Sequence, residues 1–251
     1  MARKRKRKTR SRSQPKPKLR AVLWVLLLAN IAAGVVWSPV TSIRKVRVTG
    51  ARDDDRQRLA GVLAALRDVP CARVDRPLIE TGVLAESDVR SAVLRRNPFG
   101  RATLRVGYRR PVARLEALPE VLLSNEGVLY KARRAATGLP LLRLPREALE
   151  PSATLAGLWE PGRVSELCAR ASEFGPAEKT VVDVESTGRL CLNMGSGARI
   201  EFGSSEQLGD KFDEVHRILR THPTLLEEGF GVNVTAPSKP VVVPPSRAQK
   251  Q

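Results

Sequence analysis

The sequence is poor in the residue types that most catalytic and nucleic-acid-binding sites require. Of its 251 residues, 4% are aromatic, and it has two histidines and three cysteines. So few aromatic side chains argue against a surface on which nucleic-acid bases stack. Cys71, Cys168 and Cys191 are well separated and show neither C-x-x-C nor the ligand spacing of a zinc site. They are predicted to be buried thiols, with a Cys168–Cys191 disulfide as the alternative for an extracytoplasmic domain.

Motifs typical of common enzyme classes are also missing. There is no G-x-G-x-x-G, no Walker phosphate loop and no G-x-S-x-G nucleophile elbow. His216 and His222 have no cysteine or paired carboxylate at metal-ligand spacing, so His216 is predicted to be an ordinary helix residue. We therefore predict a non-enzymatic binding protein with no cofactor, no metal and no catalytic residues.

Charge is distributed unevenly along the chain. Residues 1–20 contain eleven Lys or Arg and no acid, and the whole chain has a net charge of +18. From Ala21 to Ile43 the sequence has no charged residue. This pattern predicts a basic cytoplasmic tail over 1–20 and a transmembrane helix over 21–39, with the later domains extracytoplasmic. The residues assigned to the membrane helix are Ala21, Trp24, Leu27, Ile31, Val35 and Trp37.

Two other interpretations of this N-terminal region remain open. A cleaved signal peptide would end near Ala32-Ala33-Gly34, although the basic region is unusually long and no A-x-A site follows the apolar run. A nucleic-acid-binding arm would contact phosphates through the basic residues of 1–20, and its binding would be sensitive to salt. The tail is better explained as a topology determinant, because all 26 acidic residues lie in the rest of the chain and offset most of its basic ones.

The next segment shows strand, helix, helix, strand and strand in succession. The predicted elements are strands over Ile43–Thr49, Asp88–Arg96 and Thr103–Arg110, and helices after Asp53-Asp54-Asp55 and over Pro77–Ala85. The three acids are expected to cap the first helix, and Asp75 is expected to cap the second. The inward faces are predicted at Leu59, Val62, Leu63 and Leu66 in the first helix and at Leu78, Ile79, Val83 and Leu84 in the second.

This order and its motifs resemble the POTRA domain of the FtsQ/DivIB bacterial cell-division proteins. The matching segments are Val48-Thr49-Gly50, Ser91–Pro98, and Thr103–Val106 leading to Arg110-Pro111-Val112-Ala113. The resemblance implies a POTRA domain over 42–110 that contacts other proteins. Its basic residues Arg95, Arg96, Arg101 and Arg105 are expected to be solvated, with acidic partners or wall polymer as the alternative.

The sequence pattern over 111–243 predicts hairpins, two helices and terminal strands. The helices are expected over Glu160–Phe174 and after a cap at Ser204 or Ser205. The segments Arg199–Gly203, Lys211-Phe212 and Gly231–Pro237 resemble the β-domain of the same family. The predicted fold class is therefore α+β: one N-terminal transmembrane helix, a POTRA domain of β-α-α-β-β order, a mixed β-domain over 111–243 and a disordered tail over 244–251.

Lys239–Val243 is the predicted partner-binding segment. Its valine triplet has high β propensity, and flanking prolines confine it to a sheet edge, where unpaired backbone groups are available to another chain. By resemblance, this segment aligns with the strand that FtsQ proteins pair with FtsB, although valine and proline replace the family's aromatic anchor. An ordinary terminal strand covered by the fold is the alternative. The candidate residues are Lys239, Pro240, Val241, Val242 and Val243.

The resemblance implies an essential divisome scaffold that links early and late division proteins and helps to control septal peptidoglycan synthesis. The implied partners are FtsB- and FtsL-type bitopic proteins, other divisome components and membrane lipid, without nucleic acid. The implied location is single-pass in the cytoplasmic (inner) membrane, concentrated at the septum. The alternative is a membrane-anchored envelope assembly factor or cell-wall enzyme with a POTRA-like module, whose candidate acids are Asp183, Glu185 and Glu201.

Overall fold

The computed structural model describes residues 17–37, 41–97, 99–134, 136–145 and 160–245. They form two compact units. The first unit consists of the described residues up to Val83 together with Ala92–Val106, and the second of Leu84–Ser91 together with the described residues from Gly107 onward. The first part of the predicted basic tail, 1–16, and most of the predicted disordered tail, 246–251, lie outside the described residues.

Helix α1, Pro17–Trp37, is where the membrane span was expected. No helix in the described part of the chain is both long and apolar enough to cross a bilayer. The first turn of α1 contains basic residues, and its apolar stretch from Ala21 to Trp37 rises about 25 Å, less than the roughly 30 Å of a hydrocarbon core. The stretch is also interrupted by Asn30, whose amide donates to the Leu26 carbonyl at 3.0 Å. The predicted transmembrane helix over 21–39 and the single-pass inner-membrane location are therefore wrong.

Residues 45–108 follow the predicted order of strand, helix, helix, strand and strand. The elements are β1 Lys45–Thr49, α2 Asp53–Ala64, α3 Arg76–Leu84, β2 Val89–Asn97 and β3 Arg101–Tyr108. The three strands form one sheet in the order β1-β3-β2, and β1 is parallel to β3. The alternating apolar residues of β3 place Ala102, Leu104 and Val106 in the core.

The helices of the first unit bury narrower faces than their apolar residues predicted. Leu59 and Leu63 of α2 are buried, but Val62 is 50% exposed. In α3, Val83 is buried whereas Leu78 is 70% exposed. A sheet of three strands covers only a narrow stripe of each helix, so apolar residues at the margins of the stripe remain in solvent.

The two predicted helix caps had different outcomes. Asp75 accepts a hydrogen bond from the Leu78 amide at 3.2 Å and therefore caps α3, as predicted. Arg52 occupies the N-cap position of α2 and makes no side-chain cap bond. Of the acids that follow it, Asp53 pairs with Arg56 and Asp55 with Arg58, so they stabilise the first turn by ion pairs and by the helix dipole.

The second unit contains a sheet of nine strands in the order β12-β11-β10-β9-β8-β7-β4-β5-β6. Its strands are β4 Pro111–Leu115, β5 Val121–Ser124, β6 Leu129–Lys131, β7 Leu141–Arg143, β8 Thr180–Val184, β9 Leu190–Met194, β10 Arg199–Gly203, β11 Gly231–Asn233 and β12 Val241–Val243. The helices are α4 Pro161–Arg170 and α5 Leu208–Thr221. Their apolar faces and one face of the sheet share a single core. The predicted α+β class is confirmed.

An aromatic cluster lies between the second unit's helices and its sheet. Phe174 and Phe212 stack with ring centroids 5.8 Å apart, and Phe202 lies 5.2 Å from Phe212. Helix α5 begins after Gln207, which has a left-handed backbone (φ 52°), so the cap predicted at Ser204 or Ser205 is wrong. The Ser204 carbonyl instead accepts a hydrogen bond from the buried Lys211 ammonium at 2.8 Å. Burial lowers the pKa of Lys211, and nearby Glu206 opposes this shift.

Candidate partner-binding edge

Strand β12, Val241–Val243, is the terminal strand at one end of the nine-stranded sheet. It pairs antiparallel with β11, so its other side carries the unpaired backbone groups of a sheet edge. Val241, Val242 and Val243 are 55%, 42% and 46% exposed. Lys239 and Pro240 lie in the turn that precedes the strand. Within the described residues, the structure therefore places Val241–Val243 at the end of the sheet with side chains that are about half exposed.

The register across the sheet gives Val242 a particular place. Pairing aligns one residue from each of six neighbouring strands into a row whose members are at most 2% exposed. That row is Leu115, Leu142, Val182, Leu192, Ile200 and Val232. Val242 is the next residue in register, opposite Val232, and it is 42% exposed. A continuous apolar row of the core therefore ends at a partly exposed side chain on the sheet edge.

Val241 belongs to the opposite face of the sheet, because side chains alternate along a strand. Its row is mostly polar and consists of Arg143, Asp183, Cys191, Glu201, Asn233 and Val241. Near the edge, the Asn233 amide donates to Glu201 at 2.7 Å. At this edge, the helix-covered face of the sheet therefore presents the apolar Val242, and the other face presents mostly polar side chains around Val241. Sequence reasoning predicted the strand but missed this division, which the alternation of β11 and β12 could have indicated.

The strand acids that were candidates for an enzyme are bound by arginines. Asp183 lies 3.5 Å from Arg143. Arg199 lies 3.0 Å from Glu185 and 3.2 Å from Glu201. Each carboxylate is therefore part of an ion-paired polar face rather than of a cleft with a free acid and base. This arrangement gives no specific observation in favour of the enzyme alternative.

The three cysteines are free and buried, so no disulfide joins Cys168 to Cys191. Burial raises the pKa of the Cys168 thiol far above its ordinary value. Burial also raises the pKa of Cys191, an effect that the Arg199 guanidinium 3.1 Å from its sulfur opposes. Within the described ranges, no group of three His, Cys, Asp or Glu side chains is arranged to hold a metal ion.

The basic residues predicted to be solvated do not all share one environment. Arg96 donates to the carbonyl oxygens of Cys71 and Val74 at 2.5 Å each, so it holds the turn before α3 against β2. Arg95, Arg101 and Arg105 are exposed. The sequence interpretation therefore missed a structural role for Arg96.

In comparison with known proteins, no protein-family model and no curated protein sequence matches the chain.

Proposed function

We propose that this chain is a non-enzymatic divisome scaffold of the FtsQ/DivIB type that binds an extended segment of an FtsB- or FtsL-type division protein along β12. In this role it links early and late division proteins and helps to control septal peptidoglycan synthesis. The observation that carries the proposal is the buried apolar row that ends at exposed Val242. The order of strands and helices along residues 45–108, which matches the β-α-α-β-β order of a POTRA domain, also supports it.

A partner strand would complete two features of the edge together. Its backbone would use the N–H and C=O groups that β12 leaves unpaired. Its side chain opposite Val242 would extend the apolar row, and the side chains on either side of it would meet the polar face that contains Asn233. The preferred partner segment is therefore an extended one with a single apolar anchor between polar residues.

Replacing Val242 by aspartate tests the edge directly. A carboxylate at this position would have to be desolvated beside the partner's apolar anchor, so we expect binding to the cognate FtsB-type protein to weaken by about tenfold or more. Val128→Asp is the matched control, because Val128 is 39% exposed and lies near the opposite edge of the same sheet. Calorimetric titration of the purified full chains, with circular dichroism to verify folding, would measure the difference. Equal affinity of the two variants would refute edge pairing.

Depletion in the native host tests the divisome role itself. We expect long filaments without complete septa. Expression of the Val128→Asp chain should restore division, whereas the Val242→Asp chain should not. Normal cell length after depletion would refute the divisome role even if the purified chain bound an extended segment at β12.

A further inference from the structure

The three-stranded sheet of the first unit has a face that contains basic residues and no acid. Register pairs Lys45 of β1 with Arg101 of β3 and Thr49 with Arg105, and these side chains lie on the face away from the core. Arg47 lies between them, opposite Thr103. Within the part of the chain that the structure describes, none of these four basic side chains forms an ion pair. We call the basic face the set formed by these four residues, Arg44 and Arg67, that is Arg44, Lys45, Arg47, Arg67, Arg101 and Arg105.

A groove of about 580 Å³ opens on the basic face, and no acid lines it. The residues that line it are Arg44, Lys45, Val46, Arg47, Arg67, Arg101, Ala102 and Thr103. An arrangement of unpaired cations in one concave surface creates a positive potential that attracts an anionic ligand. Since the cations repel one another in the free protein, binding of an anion would also relieve that repulsion.

A second groove, of about 240 Å³, lies on the other side of β1, between β1 and α2. Its lining is mixed: Val46 and Val48 of β1 and Ala60 and Ala64 of α2 supply small apolar side chains, and the remaining lining residues are Arg47, Arg56 and Arg67. Both grooves include Val46, Arg47 and Arg67, so they adjoin each other along β1. Strand β1 is itself an edge strand of its sheet. Within the described residues, the edge of β1 is therefore flanked by a basic groove and by a groove whose small apolar side chains lie among arginines.

We propose that β1 is a second docking edge, which binds an extended peptide segment in which acidic residues alternate with small apolar residues. The peptide would pair with the edge of β1 through its backbone. Alternate side chains of a strand point to opposite faces. The acids would therefore meet the basic face, and the apolar residues would enter the groove beside α2. This proposal concerns the first unit and does not depend on the β12 edge of the second unit.

The test uses the full chain and two short acetylated peptides of the same composition. In one, glutamate alternates with valine, and in the other the glutamates form one block. We expect the alternating peptide to bind more tightly by about fivefold and to protect the amides of Lys45–Thr49 from hydrogen exchange. Methylation of the peptide's backbone nitrogens should abolish that protection.

Matched variants separate this edge from the basic residues of 1–20. Arg47→Gln combined with Arg101→Gln should weaken binding of the alternating peptide by about fivefold. Lys4→Gln combined with Arg5→Gln removes the same charge elsewhere and should leave the affinity within about twofold. Equal binding of the two peptides, or an equal loss in the two double variants, would overturn the proposal. Inorganic polyphosphate is the third probe, and tight binding that depends on Arg47 and Arg101 without protection of β1 by the alternating peptide would also overturn it.

Discussion

The two sheets of the molecule differ in how they compensate charge on the face away from the core. In the nine-stranded sheet, Arg143 and Arg199 each contact two carboxylates, and the polar row runs across the strands with both signs present. In the three-stranded sheet, Lys45, Arg47 and Arg101 have no ion pair with any acid among the described residues. On the first face, ion pairs already neutralise the charges. On the second face, binding of an anion would reduce the repulsion among the cations and so stabilise the protein.

The edges of the two sheets extend this comparison. β12 ends the large sheet with exposed valines, and β1 ends the small sheet between a basic groove and a groove of small apolar side chains and arginines. The first edge is therefore suited to an apolar anchor and the second to alternating acids. Two edges with such different chemistry would select different segments, so binding at one proposed edge would not compete with binding at the other.

Removing part of the core beneath the compensated sheet should have the largest effect on stability. Phe202 is fully buried against Phe212, so Phe202→Ala should lower the free energy of unfolding by about 3–5 kcal/mol. Phe99→Ala is the control, because Phe99 is 84% exposed, and it should change stability by less than about 0.5 kcal/mol. Guanidinium denaturation followed by circular dichroism would measure both. Similar losses would mean that the aromatic cluster is not part of a cooperative core.

Breaking the charge pairing of the large sheet should have a smaller and pH-dependent effect. Arg143 contacts Glu116 through two hydrogen bonds, at 2.5 and 2.8 Å, on a partly exposed surface. Arg143→Gln should therefore lower the free energy of unfolding by about 0.5–1 kcal/mol at neutral pH. Urea denaturation over a range of pH would measure the loss.

The pH dependence follows from the Glu116 carboxylate. The hydrogen bond from Arg143 lowers the pKa of Glu116 below its ordinary value of 4.5. As pH falls, the unfolded chain therefore takes up the proton first, so this stabilisation is complete above the ordinary pKa and is lost as pH falls through the lower folded pKa. The difference between the wild-type and Arg143→Gln chains should shrink accordingly. Glu116→Gln should abolish the pH dependence of that difference, and its persistence would assign the effect to another group.

Adding an acid to the basic face should have the smallest effect and the opposite sign. Thr103 lies opposite Arg47 and beside Arg101 and Arg105 along the strands. Thr103→Glu should raise the free energy of unfolding by about 0.3–1 kcal/mol at low salt, and the gain should diminish in about 1 M salt. Thr103→Gln is the uncharged control for side-chain size. Equal stability of the two variants at low salt would show that the basic residues do not repel one another measurably.

Much of the fold could be predicted from local patterns. The order of strands and helices over 45–108 agrees with the prediction, and Leu59 and Leu63 of α2 are buried as predicted, because strong apolar periodicity fixes both element type and buried face. The margins of the buried face could not be predicted for Val62 and Leu78, since they depend on how wide a sheet each helix covers. The span expected in α1 was wrong because a charge-free run does not by itself establish sufficient length and apolarity.

The candidate edge shows a similar limit. Proline and valine chemistry predicted an edge strand at Lys239–Val243, and the structure places its last three residues at the end of the sheet. The special position of Val242 could not be predicted, because it depends on register between strands from distant parts of the chain. The basic face was only partly anticipated for the same reason: Arg101 and Arg105 were noted, but Lys45 and Arg47 join them only through the parallel pairing of β1 with β3.

The short length of β12 has a consequence for solubility. The strand has three residues, and prolines at 240, 244 and 245 lack the amide hydrogen needed to extend a ladder. Two copies of the chain could therefore align only a few backbone groups edge to edge, too few to start the long stacked arrays of a fibril. The prolines thus leave the valine strand exposed at the sheet edge while limiting its tendency to self-assemble.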